Sequence, residues 1–259
     1  MVLLTLCAVI VPAGGFAYIG IPYLYMKLLR WTQRIKVAKD RAIVLTFDDG
    51  PGHVLTPAIL ALLAEYGVKA TFFVLGRNIE GRKEILARIV AQGHEIGSHG
   101  QDHLHSWIVS PLRALADVRL GQSKVRSLLQ SNGTVPFRPP YGKVNLLVLL
   151  YLLSTRTPIC SWTLDTRDTW EPETRDMGLI EAAVRHRQGS IVLAHDFDRS
   201  THEANDYVLH IIRSVLEYAK CNGIPVRTVG ETISSRRAHA SPSLRPEVSR
   251  PGPSQAGQP

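Results

Sequence analysis

The sequence predicts an α/β fold, a (β/α) barrel of about seven parallel strands, preceded by an apolar transmembrane helix. Three observations carry this. Short β-branched runs, apolar on both faces, alternate with single longer amphipathic stretches, as parallel strands with crossover helices require. Seven such units occur without a glycine-rich dinucleotide fingerprint, which favours a barrel over an open doubly wound sheet. Polar residues gather at the C-terminal ends of the strands, the functional face of either architecture.

The strands are expected at 42–48, 69–75, 94–99, 135–139, 158–165, 190–196 and 224–230. Helices are expected at 56–66, 80–92, 111–130, 143–153, 177–187 and 204–221. In the last of these, Val208, Ile211, Ile212, Val215, Leu216 and Ala219 recur at helical spacing.

The first 26 residues contain no charge and are long enough to span a bilayer. The segment ends in Tyr23 and Tyr25, and Lys27, Arg30 and Trp31 follow, the order of a membrane interface. An uncleaved single-pass anchor is favoured over a signal peptide, which lacks a basic start here. A basic juxtamembrane linker (27–40) and a core domain (41–233) follow. Residues 234–259 form a Ser/Pro/Arg-rich tail with almost nothing to bury, expected to be disordered.

The net charge of +8 is carried by the ends of this 259-residue chain. Lys27 to Arg41 contribute +5 and the segment after Ile233 contributes +3, so the core is neutral. That distribution excludes a basic nucleic-acid-binding domain. Cys7, Cys160 and Cys221 offer no even disulfide framework. Free buried thiols at 160 and 221 are favoured over a bridge.

The strand ends carry Asp48-Asp49, Ser98-His99, Arg138, Asp165 and His195. Adjacent carboxylates repel and are costly to desolvate, so packing alone gives no reason to end a buried strand in two of them. His99 and His103, four apart, can share one metal ion, with Asp49 or Asp48 completing a two-His, one-carboxylate face and His105 as a rival ligand. Hydrolysis also needs a base, an oxyanion donor and an acid. The remaining aspartate suits the base, with Arg138 as its cationic partner. His195 suits the acid if a carboxylate such as Asp165 keeps it protonated. Each role alone has a structural alternative: Arg138 as a surface cation, Asp165 as a cap for the following turn.

"TFDDGP" (46–51), "SHGQDH" (98–103), "RPPYG" (138–142), "DTRDTW" (165–170) and "IVLAH" (191–195) resemble, in order, the five motifs of the NodB-homology polysaccharide deacetylases, carbohydrate esterase family four. The resemblance covers roughly Arg41 to Ile233. It implies a distorted (β/α) barrel that removes N-acetyl groups from a GlcNAc-containing glycan with one divalent ion, usually Zn2+, though Co2+ or Ni2+ could take the same ligands. Hydrolysis of O-acetyl esters or another amide, and a silent carbohydrate-binding module, are the alternatives. By resemblance Asp48 is the base and Asp49, His99 and His103 the metal triad. Arg138 orients the base, and the Tyr141 backbone N–H is the oxyanion donor. Leu193 lines the acetyl pocket, His195 is the acid, and Asp165 tunes it. Trp170 belongs to the substrate groove.

Two departures stand out. Gly100 occupies a position where the family uses Ser or Thr to steady the metal loop, which predicts a looser loop. Thr169 intervenes between Asp168 and Trp170. The basic flank after the apolar segment favours a cytoplasmic barrel, whereas the resemblance favours an extracytoplasmic one on a single membrane anchor, and the latter is the expectation adopted.

Overall fold

The computed structural model describes residues 15–171, 176–187 and 189–233. The tail at 234–259 and the first part of the apolar segment, 1–14, lie outside the described residues.

The sheet grows around one strand. β1 (Ile43–Asp48) is buried along its whole length and pairs with three others. On one side β5 (Ser190–His195) follows it residue for residue, from Ile43↔Ser190 to Asp48↔His195. On the other side β2 (Thr71–Val74) takes its C-terminal half and β6 (Val226–Arg227) its start. With β3 (Glu95–Ser98) beyond β2 and β4 (Leu164–Asp165) beyond β5, the strands form a six-stranded sheet in the order β3-β2-β1-β5-β4, every pair parallel.

The two-residue period of a strand sorts β1 into two faces. Ile43, Leu45 and Phe47 pack outward against Leu55, Ile59 and Leu63 of one helix and Val208, Ile212 and Val215 of another. Val44 packs on the opposite, inner face with Phe73, Cys160 and Ile191. Thr46 and Asp48 share that inner parity, and both are buried. The site is therefore built on the inner face of the sheet, opposite the face that packs against the Leu55–Leu63 and Val208–Val215 helices.

Helices α2 (Leu55–Glu65), α3 (Lys83–Ala91), α4 (Pro111–Leu128), α5 (Leu146–Ser154), α6 (Met177–Arg187) and α7 (His202–Cys221) agree with the sequence expectation within a few residues at each end. Ser110, Asn145 and Thr201 cap α4, α5 and α7 by accepting from backbone N–H groups of their first turns. A short α8 (Val229–Thr232) ends the described chain with a Thr228–Glu231 capping box. Cys160 is a buried free thiol, whereas Cys221 is exposed and not buried as expected.

The sheet does not close, which corrects the expected barrel. The segments 135–139 and 158–165 contribute single parallel bridges, Ser98↔Phe137 and Phe137↔Ile159, before the chain reaches β4. Pro136 and Pro139 in the first segment and Pro158 at the start of the second lack the N–H that a continuous ladder needs. The edge at Ile159–Ser161 is satisfied instead by a side chain. Gln33 donates to the Ile159 carbonyl at 2.8 Å and accepts from the Ser161 N–H at 2.9 Å.

Gln33 belongs to α1 (Ile21–Lys39), which continues a π-helical turn at Phe16–Gly20. Here the transmembrane reading is overturned. Among the described residues no helix is long and apolar enough to cross a membrane. α1 carries Lys27, Arg30, Arg34, Lys36 and Lys39 and buries a stripe of Met26, Gln33 and Val37 against the domain. The residues expected at a membrane interface make protein contacts: Tyr23 packs edge-on against Trp107, and Arg30 lies over the Trp162 ring and donates to Ser161 Oγ. The single-pass location, and the membrane as a partner, are corrected accordingly. Most of the segment expected as a linker, 27–40, is part of this docked helix.

Candidate functional site

β1 ends on Asp48 in regular strand geometry, and the next residue turns the chain. Asp49 has a left-handed backbone, φ 70°, a conformation strained for a residue with a side chain. Two neighbouring carboxylates thereby leave the strand in different directions and acquire different surroundings.

Asp48 faces a buried arginine. Arg138 is fully buried, with Nη1 2.9 Å from Asp48 Oδ1 and 2.7 Å from Thr46 Oγ1, and Nη2 donating to the Ser161 carbonyl at 3.1 Å. Its guanidinium lies 4.4 Å from the Phe73 ring centroid. Burial pushes the Asp48 carboxyl above the usual carboxylate range against the pull of Arg138. A base benefits from both effects: it stays paired, yet holds a proton more readily than a solvated aspartate.

Asp49 faces two imidazoles. Its Oδ1 lies 3.5 Å from His99 Nε2 and 3.4 Å from His103 Nε2, and is a buried oxygen with no hydrogen-bond donor. His99 Nδ1 sits 2.7 Å from the Arg138 carbonyl. A carbonyl can only accept, so Nδ1 carries the hydrogen and Nε2 presents a lone pair. Burial holds His99 neutral, with a pKa lowered to about 3. Three ligand atoms, one each from Asp49, His99 and His103, lie within 4.8 Å of one another. An orphaned carboxylate oxygen beside two converging imidazole nitrogens fits one divalent cation. His105 stands outside this group, against Tyr141 at 4.9 Å between ring centroids and with Lys143 Nζ 3.4 Å from Nε2.

The loop bearing these histidines is held from below. Gly100 has φ +83°, and a Cβ there would run into Asp117 Oδ2. Asp117, buried on α4, accepts from the N–H groups of Gln101 at 3.1 Å and Asp102 at 2.8 Å. Gly121, also on α4, lets the helix backbone approach this loop, since a Cβ there would collide with the Gly100 carbonyl carbon. The hydroxyl missing at position 100 is thus answered by a carboxylate from another element, and the loop is not left without support.

On the other flank β5 ends on His195, in register with Asp48. Its Nδ1 donates to Asp168 Oδ1 at 2.9 Å, its backbone N–H to Asp168 Oδ2 at 2.9 Å, and Arg199 Nη2 reaches the same Oδ2 at 2.7 Å. Burial alone would lower the His195 pKa; Asp168, with Asp48 and Asp49 behind it, outweighs burial and raises it to about 9. Asp165 is not the partner of His195. Its Oδ1 accepts from the Arg167 N–H at 2.8 Å, the turn-capping alternative. β4 stops at Asp165, Arg167 turns left-handed at φ 55°, and the chain returns Asp168 beneath the imidazole. Asp168 and Arg199 are the functional-site residues that sequence reasoning missed. The signal for the first was the second Asp of "DTRDTW", three residues past the strand end.

The remaining candidates lie at the rim. Tyr141, φ 57°, is exposed, and its ring sits 4.6 Å from that of His103. Leu193 is buried on β5, in register with Thr46 and Asp165. Trp170 is exposed, with the Arg167 guanidinium 4.7 Å from its ring centroid. A three-ligand metal site flanked by an aspartate and a protonated histidine is the arrangement of a metal-dependent amide hydrolase.

A family model for polysaccharide deacetylases matches residues 36–156. A peptidoglycan-N-acetylglucosamine deacetylase of Listeria monocytogenes is 34% identical over 183 residues, which is 69% of this chain but 37% of that protein. The chain therefore spans well under half the length of that relative. A chitooligosaccharide deacetylase of Bradyrhizobium sp. (strain ANU 289) is 34% identical over 161 residues, 62% of this chain and 73% of that protein. Among solved structures, the Bc1960 peptidoglycan N-acetylglucosamine deacetylase, in complex with 4-naphthalen-1-yl-N-oxidanyl-benzamide, is similar with a TM-score of 0.64 and 27% identity, covering 77% of this chain and 91% of the other. The family model covers β1 and the metal triad, the 34% identical relative is matched over 73% of its length, and the chain belongs to the polysaccharide deacetylase family.

Proposed function

We propose that this chain removes N-acetyl groups from a GlcNAc-containing oligo- or polysaccharide, with Zn2+ as the bound ion. The observation that carries the reading is the division of labour at the end of β1: Asp49 joins two imidazoles while Asp48, next to it, pairs with a buried arginine. A His2Asp donor set suits Zn2+, and also Co2+ or Ni2+. The ion, when bound, supplies Lewis-acid polarisation and makes water easier to deprotonate.

The chain's own residues do the rest. Asp48, oriented by Arg138, takes a proton from the attacking water. The Tyr141 backbone N–H donates to the oxygen that gains charge as the amide carbonyl is attacked. Leu193 gives the acetyl methyl an apolar wall. His195 protonates the departing amine nitrogen, and Asp168, in the place first assigned to Asp165, keeps that proton available near neutral pH. Trp170 borders the groove. The products are acetate and a free amino sugar. The catalytic unit in this reading spans 41–233.

Acetate release from N-acetylchitohexaose and from acetylated xylan, with and without added Zn2+, tests the proposal. Zinc-dependent release from the hexamer supports it. Release from xylan alone would favour the O-acetyl esterase reading, and release from neither, with zinc bound, would favour a silent carbohydrate-binding module.

A further inference from the structure

Asp49 reaches His99 and His103 from a left-handed backbone, and a strained conformation of that kind persists only where its surroundings fix it. Two groups of contacts grip the turn at Asp49–Gly52, and none of their side chains has a part in the chemistry described above. From the segment after β2, the Asn78 side-chain amide donates to the Asp49 carbonyl at 2.9 Å and to the Gly50 carbonyl at 3.1 Å. An amide carries two hydrogens, one for each of these carbonyls.

The second group comes from the segment after β5, through Asp196, the neighbour of His195. Its backbone N–H donates to the Asp48 carbonyl at 3.2 Å. Its carboxylate is buried against Gly50, where a Cβ would collide with it. Oδ2 accepts from the Thr56 hydroxyl at 2.7 Å. The Gly52 N–H is shared between that hydroxyl, at 2.7 Å, and the Asp196 carbonyl, at 2.9 Å. Thr56, on α2, is fully buried, so no water stands ready to replace its bonds. The bonds run in one direction, from the Gly52 N–H through the hydroxyl to the carboxylate, and each polarises the next.

Asp196 is a costly residue to keep here. Asp48 and Asp49 are close by in the same buried turn, and among the described residues the Asp196 Oδ1 has no donor. Packing alone gives no reason for a third acid, whereas anchoring the turn does. Asp198, two residues further on, offers a contrast within the same segment. Its carboxylate accepts from the N–H groups of His53, Val54 and Leu55 at 2.6, 2.9 and 3.0 Å, and so holds the start of α2 beyond the turn.

We propose that Asn78, Thr56 and Asp196 are positioning residues for the metal site, which together hold Asp49 in the left-handed conformation that turns its carboxylate toward His99 and His103. The inference rests on the metal site of the deacetylase reading and adds to it the groups that set the site's geometry.

The test measures Zn2+ affinity of the full chain by calorimetry, beside chemical denaturation of the same metal-free samples. Thr56→Val removes the hydroxyl with little change of volume and none of charge. It should weaken Zn2+ binding by about 10–100-fold, the usual effect of losing a group that orients a ligand. Asn78→Ala should do the same, and Thr56→Ser, which restores the hydroxyl, should bind near the wild-type affinity. Asp198→Ala should lower the denaturation midpoint while zinc affinity stays near that of the wild type. Wild-type affinity in Thr56→Val or in Asn78→Ala would overturn the inference. So would an equal loss in Asp198→Ala, because affinity would then merely follow stability. Should Thr56→Val fail to fold, Asn78→Ala, at a partly exposed side chain, decides in its place. A wild type that binds zinc without releasing acetate removes the deacetylase reading and leaves the positioning roles to be judged on affinity. A wild type that binds no divalent ion removes both.

Discussion

At the scale of single residues, two aspartates close in sequence to predicted strand ends separate by surroundings. Asp165 and Asp168 share one short motif, yet only Asp168 holds the imidazole of His195, while Asp165 caps its own turn. The difference lies in a backbone detail, the left-handed Arg167 between them, which the residue order does not announce. The consequence is measurable in a pH–rate profile. Wild-type activity should fall as pH rises through about 9, where the His195 proton is lost. Asp168→Asn removes the carboxylate that raises that pKa, so the alkaline limb should move down toward the ordinary histidine range, near 6.5. Asp165→Asn should leave the limb in place. His195→Ala should lower kcat by about 10²–10⁴-fold, the range of a general acid. An unmoved limb in Asp168→Asn would return the tuning role to another group.

At the scale of elements, two predicted features changed their meaning. The apolar, then basic, N-terminus reads as a membrane anchor because hydropathy and interfacial charge order are local properties. What α1 does instead depends on Gln33 meeting the backbone of Ile159 and Ser161, residues more than a hundred positions away. No window of sequence contains that contact. Barrel closure failed for a related reason: the apolar runs at 135–139 and 158–165 look like full strands, but they give isolated bridges at Phe137 and Ile159 and only the two-residue β4 at the end of the second. The continuous apolar runs of β1, β2 and β5 and the helical spacing of α7 were legible because their burial follows from their own composition and spacing.

Gly100 makes the same point for the site. Read alone, it removes a supporting hydroxyl; in the fold, Asp117 from α4 holds the loop by two backbone N–H groups. Asp117→Ala should therefore weaken metal affinity about 10–100-fold, the usual effect of losing a group that orients ligands. Metal titration of the purified variant checks this. Wild-type affinity would mean that the loop holds its shape without the carboxylate.

At the scale of the whole molecule, the buried histidines give stability a definite pH window. His94 and His99 are buried neutral, with pKa values lowered to about 4 and about 3. Their unfolded forms take up protons near pH 6.5 while the folded forms do not, so each destabilises the fold as pH falls below about 6.5. His195 acts in the opposite sense. Its raised pKa contributes stability that is fully present below about 6.5 and is lost as pH rises through about 9. Chemical denaturation of the metal-free protein should show maximal stability between these limbs, near neutral pH, and His195→Ala should flatten the alkaline side. A stability that keeps rising from pH 7 to 9 would contradict the assignment.

Asp48, Asp49, His99 and Arg138 were legible at expected strand ends, because a core strand gains nothing by ending in charge, and His103 by its spacing from His99. The groups that support the site, Asp168 with Arg199 around His195 and Asp117 beneath the metal loop, come from elements whose approach only the fold fixes. The most direct measurement of the central claim is a calorimetric Zn2+ titration of the metal-free chain, with acetate release from N-acetylchitohexaose followed on the same samples. The account predicts one ion per chain, activity that rises in step with occupancy, loss of both in His103→Ala, and retained binding without turnover in Asp48→Asn. Stoichiometric zinc with full turnover in His103→Ala, or full activity in Asp48→Asn, would contradict it.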